Sequence, residues 1–292
     1  MNNFALTLVI TAAILHAAWN FLLKKSGGGI GVLTLSAVTA ATMLTPVAVY
    51  LIVEGFTTGF VFTPAIIGMM IGSGMIHLAY FLLLDRAYRG GGGDLSVIYP
   101  LARATGPLLT ILTATVLLGE QMSATAVCGA LLIGASALLL TGNPAKLLCK
   151  DAKSGAGFAL LCGSTIACYT LWDKQGVAAF LIPPIIFDWG ANLVRITMMI
   201  PLAHQRAPGA MTLAWQNHRK AVIAIGVMSP LSYILVLTAM VFTPVSYVAP
   251  ARELSILFAA LIGTQVLKEG DTMRRSIAAI GMILGIAALA LG

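Results

Sequence analysis

Apolar stretches of about twenty residues follow one another along almost the whole chain, separated by short connections rich in glycine and proline. A helix satisfies its backbone groups internally, and about 20 apolar residues let it cross a bilayer. Ten candidate spans are legible: 4–23, 32–53, 64–84, 95–118, 124–141, 155–174, 184–203, 219–240, 245–267 and 273–291. Only 9% of residues are charged, against about 25% in soluble domains. A soluble fold could not cover this much apolar surface, so the chain reads as an all-α integral membrane protein. The start, Met1-Asn2-Asn3, lacks a basic region, and no small-residue cleavage site follows the first run. The first span is therefore expected to remain as a helix and not leave as a signal peptide.

The stretch 142–154 is polar and holds Lys146, Lys150 and Lys153. It reads as a linker between halves 1–141 and 155–292, each with five spans. The halves look alike. Shifting 102–120 by 149 residues matches seven of nineteen positions, among them Arg103 with Arg252 and Glu120 with Glu269. Leu and Ala coincide by chance in apolar helices; charges, being rare here, do not. An odd number of spans per half makes the second half enter from the opposite side, which predicts an inverted repeat.

The formal charge of +7 has a topological account. Of 17 Lys and Arg, three lie inside spans and thirteen on loops after odd-numbered spans, leaving only Lys174 on the other side. Excess Lys and Arg mark the cytoplasmic side, so both termini are expected outside the cytoplasm. The basic residues are too scattered for nucleic-acid binding. Cys128, Cys149, Cys162 and Cys168 form no CxxC and read as packing residues, not a disulfide or metal framework. No cofactor and no metal is expected.

Arg103, Arg195 and Arg252 are the costly residues, since an Arg near the bilayer centre costs roughly 2.5–3.5 kcal/mol on insertion scales. A chain keeps such residues where they face a polar cavity or a partner. Arg103 lies between Pro100 and Pro107, and Arg252 follows Pro250 with Glu253 beside it. Proline frees backbone carbonyls and bends helices. Either Arg can fork onto a carboxylate or phosphate of a substrate; the competing reading is a structural Arg103–Glu253 pair across the halves. His16, Trp19 and Asn20 share one helix face and offer either cavity lining or helix–helix hydrogen bonds. Ser73, His77 and Tyr80 form a second stripe, with His77 a candidate proton relay or a packing hydrogen bond. Asp188, Asn192 and Arg195 follow i, i+4 and i+7, which suggests an internal salt bridge that could gate. Asp173 and Lys174 end span six behind Tyr169 and Trp172. There the aromatics read as interface anchors and the acid as a counter-ion or proton site at a cavity mouth. Gly281-x3-Gly285 and Gly68-x3-Gly72 permit close helix contact, as scaffold or as a homodimer face.

Three segments carry a family resemblance: His16-Ala17-Ala18-Trp19-Asn20; Tyr99-Pro100 to Arg103 followed by Leu117-Leu118-Gly119-Glu120; and Pro250-Ala251-Arg252-Glu253 followed by Lys268-Glu269. With them the chain resembles the drug/metabolite transporter superfamily in its ten-helix, duplicated EamA-like form, over its whole length. The resemblance implies a secondary transporter in the cell (inner) membrane, with a central cavity lined by the first, third, fourth, sixth, eighth and ninth helices. In that family the termini usually lie on the opposite side from the one the basic residues indicate here.

The expected cargo is a small anionic or zwitterionic metabolite, amino-acid-like or phosphonate-like. The expected substrate-binding residues are Arg103, Arg252, His16, Trp19, Asn20, Tyr80, Tyr99 and Glu253. His77, Asp173, Asp188 and Arg195 are the candidates for proton coupling or gating. Membrane lipids and a proton or exchanged solute are the expected partners. A flippase for a lipid-linked head group is the alternative. A membrane-embedded enzyme is the weaker one, because the chain has no H-E-x-x-H, no G-x-S-x-G and no G-x4-G-K-[ST]. No catalytic residue is expected.

Overall fold

The computed structural model describes residues 1–58, 61–86, 95–141, 152–267 and 272–292. The side chains of 56, 58, 84–86, 95–100, 141, 152–156, 263–267 and 272 lie outside that description. Eleven helices make up the described residues: α1 (Asn3–Lys25), α2 (Ile30–Thr58), α3 (Pro64–Arg86), α4 (Leu95–Leu117), α5 (Ala124–Thr141), α6 (Ala152–Ala178), α7 (Pro184–Arg206), α8 (Ala210–Phe242), α9 (Val245–Ala251), α10 (Leu254–Leu267) and α11 (Thr272–Leu291).

Seven segments among the described residues are long and apolar enough to cross a membrane. They lie in α1, α2, α3, α7, α8 and α11, and across α9 into α10. Leu101–Leu117 and Ala124–Leu140 are shorter apolar helices. α6 is outside both groups; it carries the polar run Asp173, Lys174 and Gln175. The protein is thus an all-α, multi-pass membrane protein.

The expected ninth span is not one continuous helix. Pro250 offers no N–H, and the chain tightens after it into i→i+3 bonds: Glu253 N to Pro250 O at 3.0 Å, Ser255 N to Arg252 O at 3.2 Å and Ile256 N to Glu253 O at 2.9 Å. Arg252 and Glu253 therefore sit at a break between α9 and α10. α4, by contrast, stays helical through Pro107. The expected eighth span starts earlier, because an apolar segment from Ala210 is continuous with it through a kink at His218 (φ −133°, ψ 22°).

Packing brings the halves together. α1 packs on α8 and α10, α2 on α7 and α8, α3 on α6 and α7, α4 on α6 and α9, and α5 on α11. The Met1 ammonium donates to Ala290 O at 3.2 Å, and the Tyr247 hydroxyl donates to Gly292 O at 3.3 Å. The two termini thus lie together at one end of the bundle, with Gly292 against the start of α9. At the other end, Gly31 near the start of α2 lies against the backbone of Ala210 at the start of α8.

The Gly281-x3-Gly285 stripe is an internal contact and not a dimer face. A Cβ on Gly285 would come within 2.8 Å of Gly129 O and of Ile133 Cγ1, and one on Gly281 within 2.5 Å of Ser136 Oγ. Small residues let α5 and α11 approach backbone to backbone. Gly285→Leu must push the two helices apart, and overpacking of this kind costs about 1–3 kcal/mol. A lower melting temperature of the purified protein checks this, with Gly134→Leu as a control because a Cβ there meets nothing. Gly72 has a different role: the Trp172 ring lies on it, and Trp172 Nε1 donates to Met69 O at 2.8 Å.

Candidate functional site: a central cavity and the polar chain beside it

A cleft lies at the middle of the bundle, with about 550 Å³ of non-atom space around it once open solvent is included. Its polar lining comes from His16 on α1, Arg103 and Thr110 on α4, Tyr169 and Thr170 on α6, Ser232 and Tyr233 on α8, and Arg252, Glu253 and Ser255 at the α9–α10 break. The break explains why so many polar groups converge here. A continuous helix would turn Arg252 and Glu253 about 100° apart, whereas the tight turn lets both line one space.

The two repeat-matched arginines have different settings. Arg103 Nε donates to Glu253 Oε2 at 3.0 Å, and Arg103 Nη2 donates to Ser255 Oγ at 2.9 Å. The cross-half ion pair that competed with substrate binding is therefore formed. Arg252 has no carboxylate within ion-pairing distance among the described residues. Its guanidinium carbon lies 5.4 Å from the centre of the Tyr233 ring, a cation–π arrangement. Among the described residues that line the cavity, two arginines face one acid.

Beside the cavity runs a hydrogen-bonded chain. Asp173 is fully buried, and its Oδ2 accepts from the Tyr233 hydroxyl and faces His77 Nε2 at 3.0 Å. The His77 ring stacks on Tyr169 with centroids 4.2 Å apart and meets Tyr233 edge-on at 5.3 Å. Asp173 is thus not at a cavity mouth. α6 continues to Ala178, which places the acid a full turn inside the helix. Tyr169 likewise is buried site lining and not an interface anchor.

A smaller cavity lies on the other side of Tyr233, lined by Ser73, His77, Asp188, Asn192 and Arg195 with Gly74, Phe187 and Ala191. Asp188 and Arg195 share it without forming the expected salt bridge. Two turns of rigid helix separate them, and Arg195 instead donates to Asn192 Oδ1 at 2.6 Å through Nη2. Asn192 in turn donates to Ala37 O at 2.9 Å, tying α7 to α2.

Of the other expected substrate residues, His16 lines the central cavity. Trp19 and Asn20 do not: Trp19 meets the His16 ring edge-on at 4.9 Å and packs against the cluster of Val32, Ala214, Val222 and Ile225, while Asn20 Nδ2 donates to His16 O at 2.7 Å. Tyr80 packs on Phe81 and Tyr169. The Tyr99 side chain lies outside the described residues.

Tyr233, Ser255 and Thr110 are cavity residues that spacing did not single out, and Tyr169 lines the cavity where an interface anchor was expected. A polar Ser229-Pro230-Leu231-Ser232-Tyr233 run inside an apolar span was the available signal for Tyr233.

The charged positions near the termini end are helix caps. Gly119 takes φ +67°, Glu120 N bonds back to Ala114 O at 3.3 Å, and α4 ends. Glu120 is thereby swung onto the start of α9, where it accepts from Val245 N and Ser246 N, each at 2.8 Å. Lys174 donates to Met240 O at 2.6 Å and Thr243 O at 3.0 Å at the end of α8. An acid at a helix N-terminus and a cation at a C-terminus both complement the helix dipole. Together they clamp the α8–α9 corner beneath the cavity.

No family model matches the chain, and no curated protein matches it. Solved structures do share its fold. A protein crystal structure superposes with a TM-score of 0.73 over 98% of this chain and 98% of its own, at 18% sequence identity, so the likeness is one of fold.

Proposed function

We propose that this chain is a secondary transporter of the drug/metabolite transporter superfamily that moves a small anionic or zwitterionic metabolite through the central cavity. The observation that carries the proposal is Arg252: a cation in the middle of a membrane bundle, lining a cavity, with no carboxylate partner among the described residues. A charge kept at that cost needs a counter-charge, and a cavity open to cargo can supply one. Arg103 and Glu253 hold each other and shape the wall, while Ser232, Ser255 and Thr110 add neutral hydroxyl oxygens to the lining.

Ten crossings and an inverted repeat fit the packing. Exchanging α1, α2, α3, α4 and α5 with α6, α7, α8, α9–α10 and α11 turns the α1–α8 contact into α6–α3, α2–α8 into α7–α3, and α4–α6 into α1 with α9–α10. The α2–α7 and α5–α11 contacts map onto themselves. Rocking of one half against the other around a midplane site is the transport motion such a plan supports.

The basic residues after odd-numbered spans put the termini outside the cytoplasm. A membrane-impermeant thiol reagent added to intact cells should then label a cysteine placed at Asn2; protection of that cysteine would reverse the orientation. Transport itself is tested by thermal stabilisation of the purified protein with panels of anionic, zwitterionic and cationic metabolites, then by uptake of the best ligand into proteoliposomes. Stabilisation by cations or lipid-like compounds alone would overturn the substrate class.

A further inference from the structure

The smaller cavity contains polar groups that packing does not explain. Asp188 is 7% exposed and Ser73 1% exposed, and both line it. Asp188 Oδ2 and Ser73 Oγ are each buried without a hydrogen-bond partner, as is Asp173 Oδ1 nearby. Buried polar groups are nearly always bonded, and a carboxylate left bare is the most costly exception. Binding a proton removes that cost, because a neutral carboxyl needs far less solvation than a carboxylate and gains a donor of its own.

Tyr233 lines both cavities. Its hydroxyl is bonded to Asp173, which His77 also contacts, and its ring lies under Arg252. A change of charge on one side of this wall is therefore felt on the other.

We propose that the smaller cavity is the coupling site of the transporter: Asp188 binds one proton from bulk water and releases it in each cycle, and the His77–Asp173–Tyr233 chain links its charge state to the cargo held at Arg252. This rests on the transport reading above. The groups that face Asp188 are Arg195 on its own helix, His77 from α3, Asp173 from α6 and Tyr233 from α8; α2 packs on α7 but contributes no titratable side chain to the cavity lining. On uptake an O–H bond forms on Asp188 and its charge goes from −1 to 0. Arg195 remains cationic throughout, so the cavity becomes net positive when loaded. That positive charge pulls on the Asp173 carboxylate and weakens its hold on Tyr233. The reverse step breaks the O–H bond and returns the proton to water on the other side.

Infrared difference spectroscopy of the purified full-length protein, titrated with acid and with the proton as the only probe, tests this. A protonated-carboxyl C=O band should appear as pH falls and be lost in Asp188→Asn, a near-isosteric change. Tyr233→Phe should keep the band and move its midpoint, which a merely structural tyrosine would not do. Ser73→Ala, which removes one hydroxyl from the lining, should shift the band's frequency and serves if Asp188→Asn fails to fold. A band unchanged in Asp188→Asn, or unmoved in both Ser73→Ala and Tyr233→Phe, overturns the proposal. The metabolite panels separate the two ideas. Ligand stabilisation with an Asp188-insensitive band leaves a transporter whose coupling lies elsewhere. An Asp188 band without any anionic or zwitterionic ligand leaves the proton site and removes the cargo.

Discussion

Arg252→Gln is expected to lose almost all ligand-induced stabilisation while melting close to the wild type. The guanidinium has no carboxylate partner among the described residues, so its removal orphans no buried acid. What the fold loses is the contact with the Tyr233 ring, about 0.5–2 kcal/mol for a cation–π pair. What the cargo loses is a charge-assisted bond, about 1.5–3 kcal/mol, or roughly a 10- to 150-fold rise in Kd. A ligand at 100 times its Kd stabilises the wild type by about 2.7 kcal/mol. After a 100-fold loss the same concentration equals Kd, and about 0.4 kcal/mol is left. The melting shift should therefore all but vanish. A variant that still responds to anions like the wild type would make Arg252 a packing residue and remove the observation on which the transport proposal stands.

Arg103→Gln should behave in the opposite way, with a large loss of stability. Glu253 is 6% exposed and depends on Arg103 for its charge partner and a 3.0 Å bond. Breaking a buried pair from one side costs about 3–5 kcal/mol, because the remaining charge is left desolvated. The double variant Arg103→Gln with Glu253→Gln removes both charges and should recover a substantial part of that loss. A double-mutant cycle on unfolding measures the coupling. If the single variant melts within about 1 kcal/mol of the wild type, or the double variant is no better than the single, the pair does not hold the α4 wall to the α9–α10 break. The contrast between two arginines at matching repeat positions is itself informative. One is satisfied by the protein; under the proposed function the other is left to a ligand.

Residue spacing located much of this site but assigned several roles differently. The intramembrane arginines, His16, His77, Asp173, Asp188 and Glu253 were all legible, because a charged or titratable group in an apolar span stands out against its neighbours. Pairing was not. The i, i+7 relation of Asp188 and Arg195 suggested a salt bridge, yet two turns of helix kept them apart and Asn192 intervened. Tyr233 is not singled out by spacing and Tyr169 reads as an interface anchor, since tyrosine is ordinary at membrane interfaces; only their contacts with Asp173 and His77 make them part of a chain. Lys174 and Glu120 stood out as charges, but their work as caps depends on helix ends far away in sequence.

The apolar runs alone dictated that the chain be a bundle of helices in a membrane, because backbone groups in hydrocarbon admit little else. The scarcity of charge likewise told which residues would be expensive to bury. Which expensive residues would neutralise one another was decided by tertiary packing. Arg103 reaches Glu253 only because α4 packs on α9 and a proline breaks the helix there. Among the described residues, no acid comes within ion-pairing distance of Arg252. Distance in a low-dielectric interior governs these energies, and distance between helices is not written in any one of them.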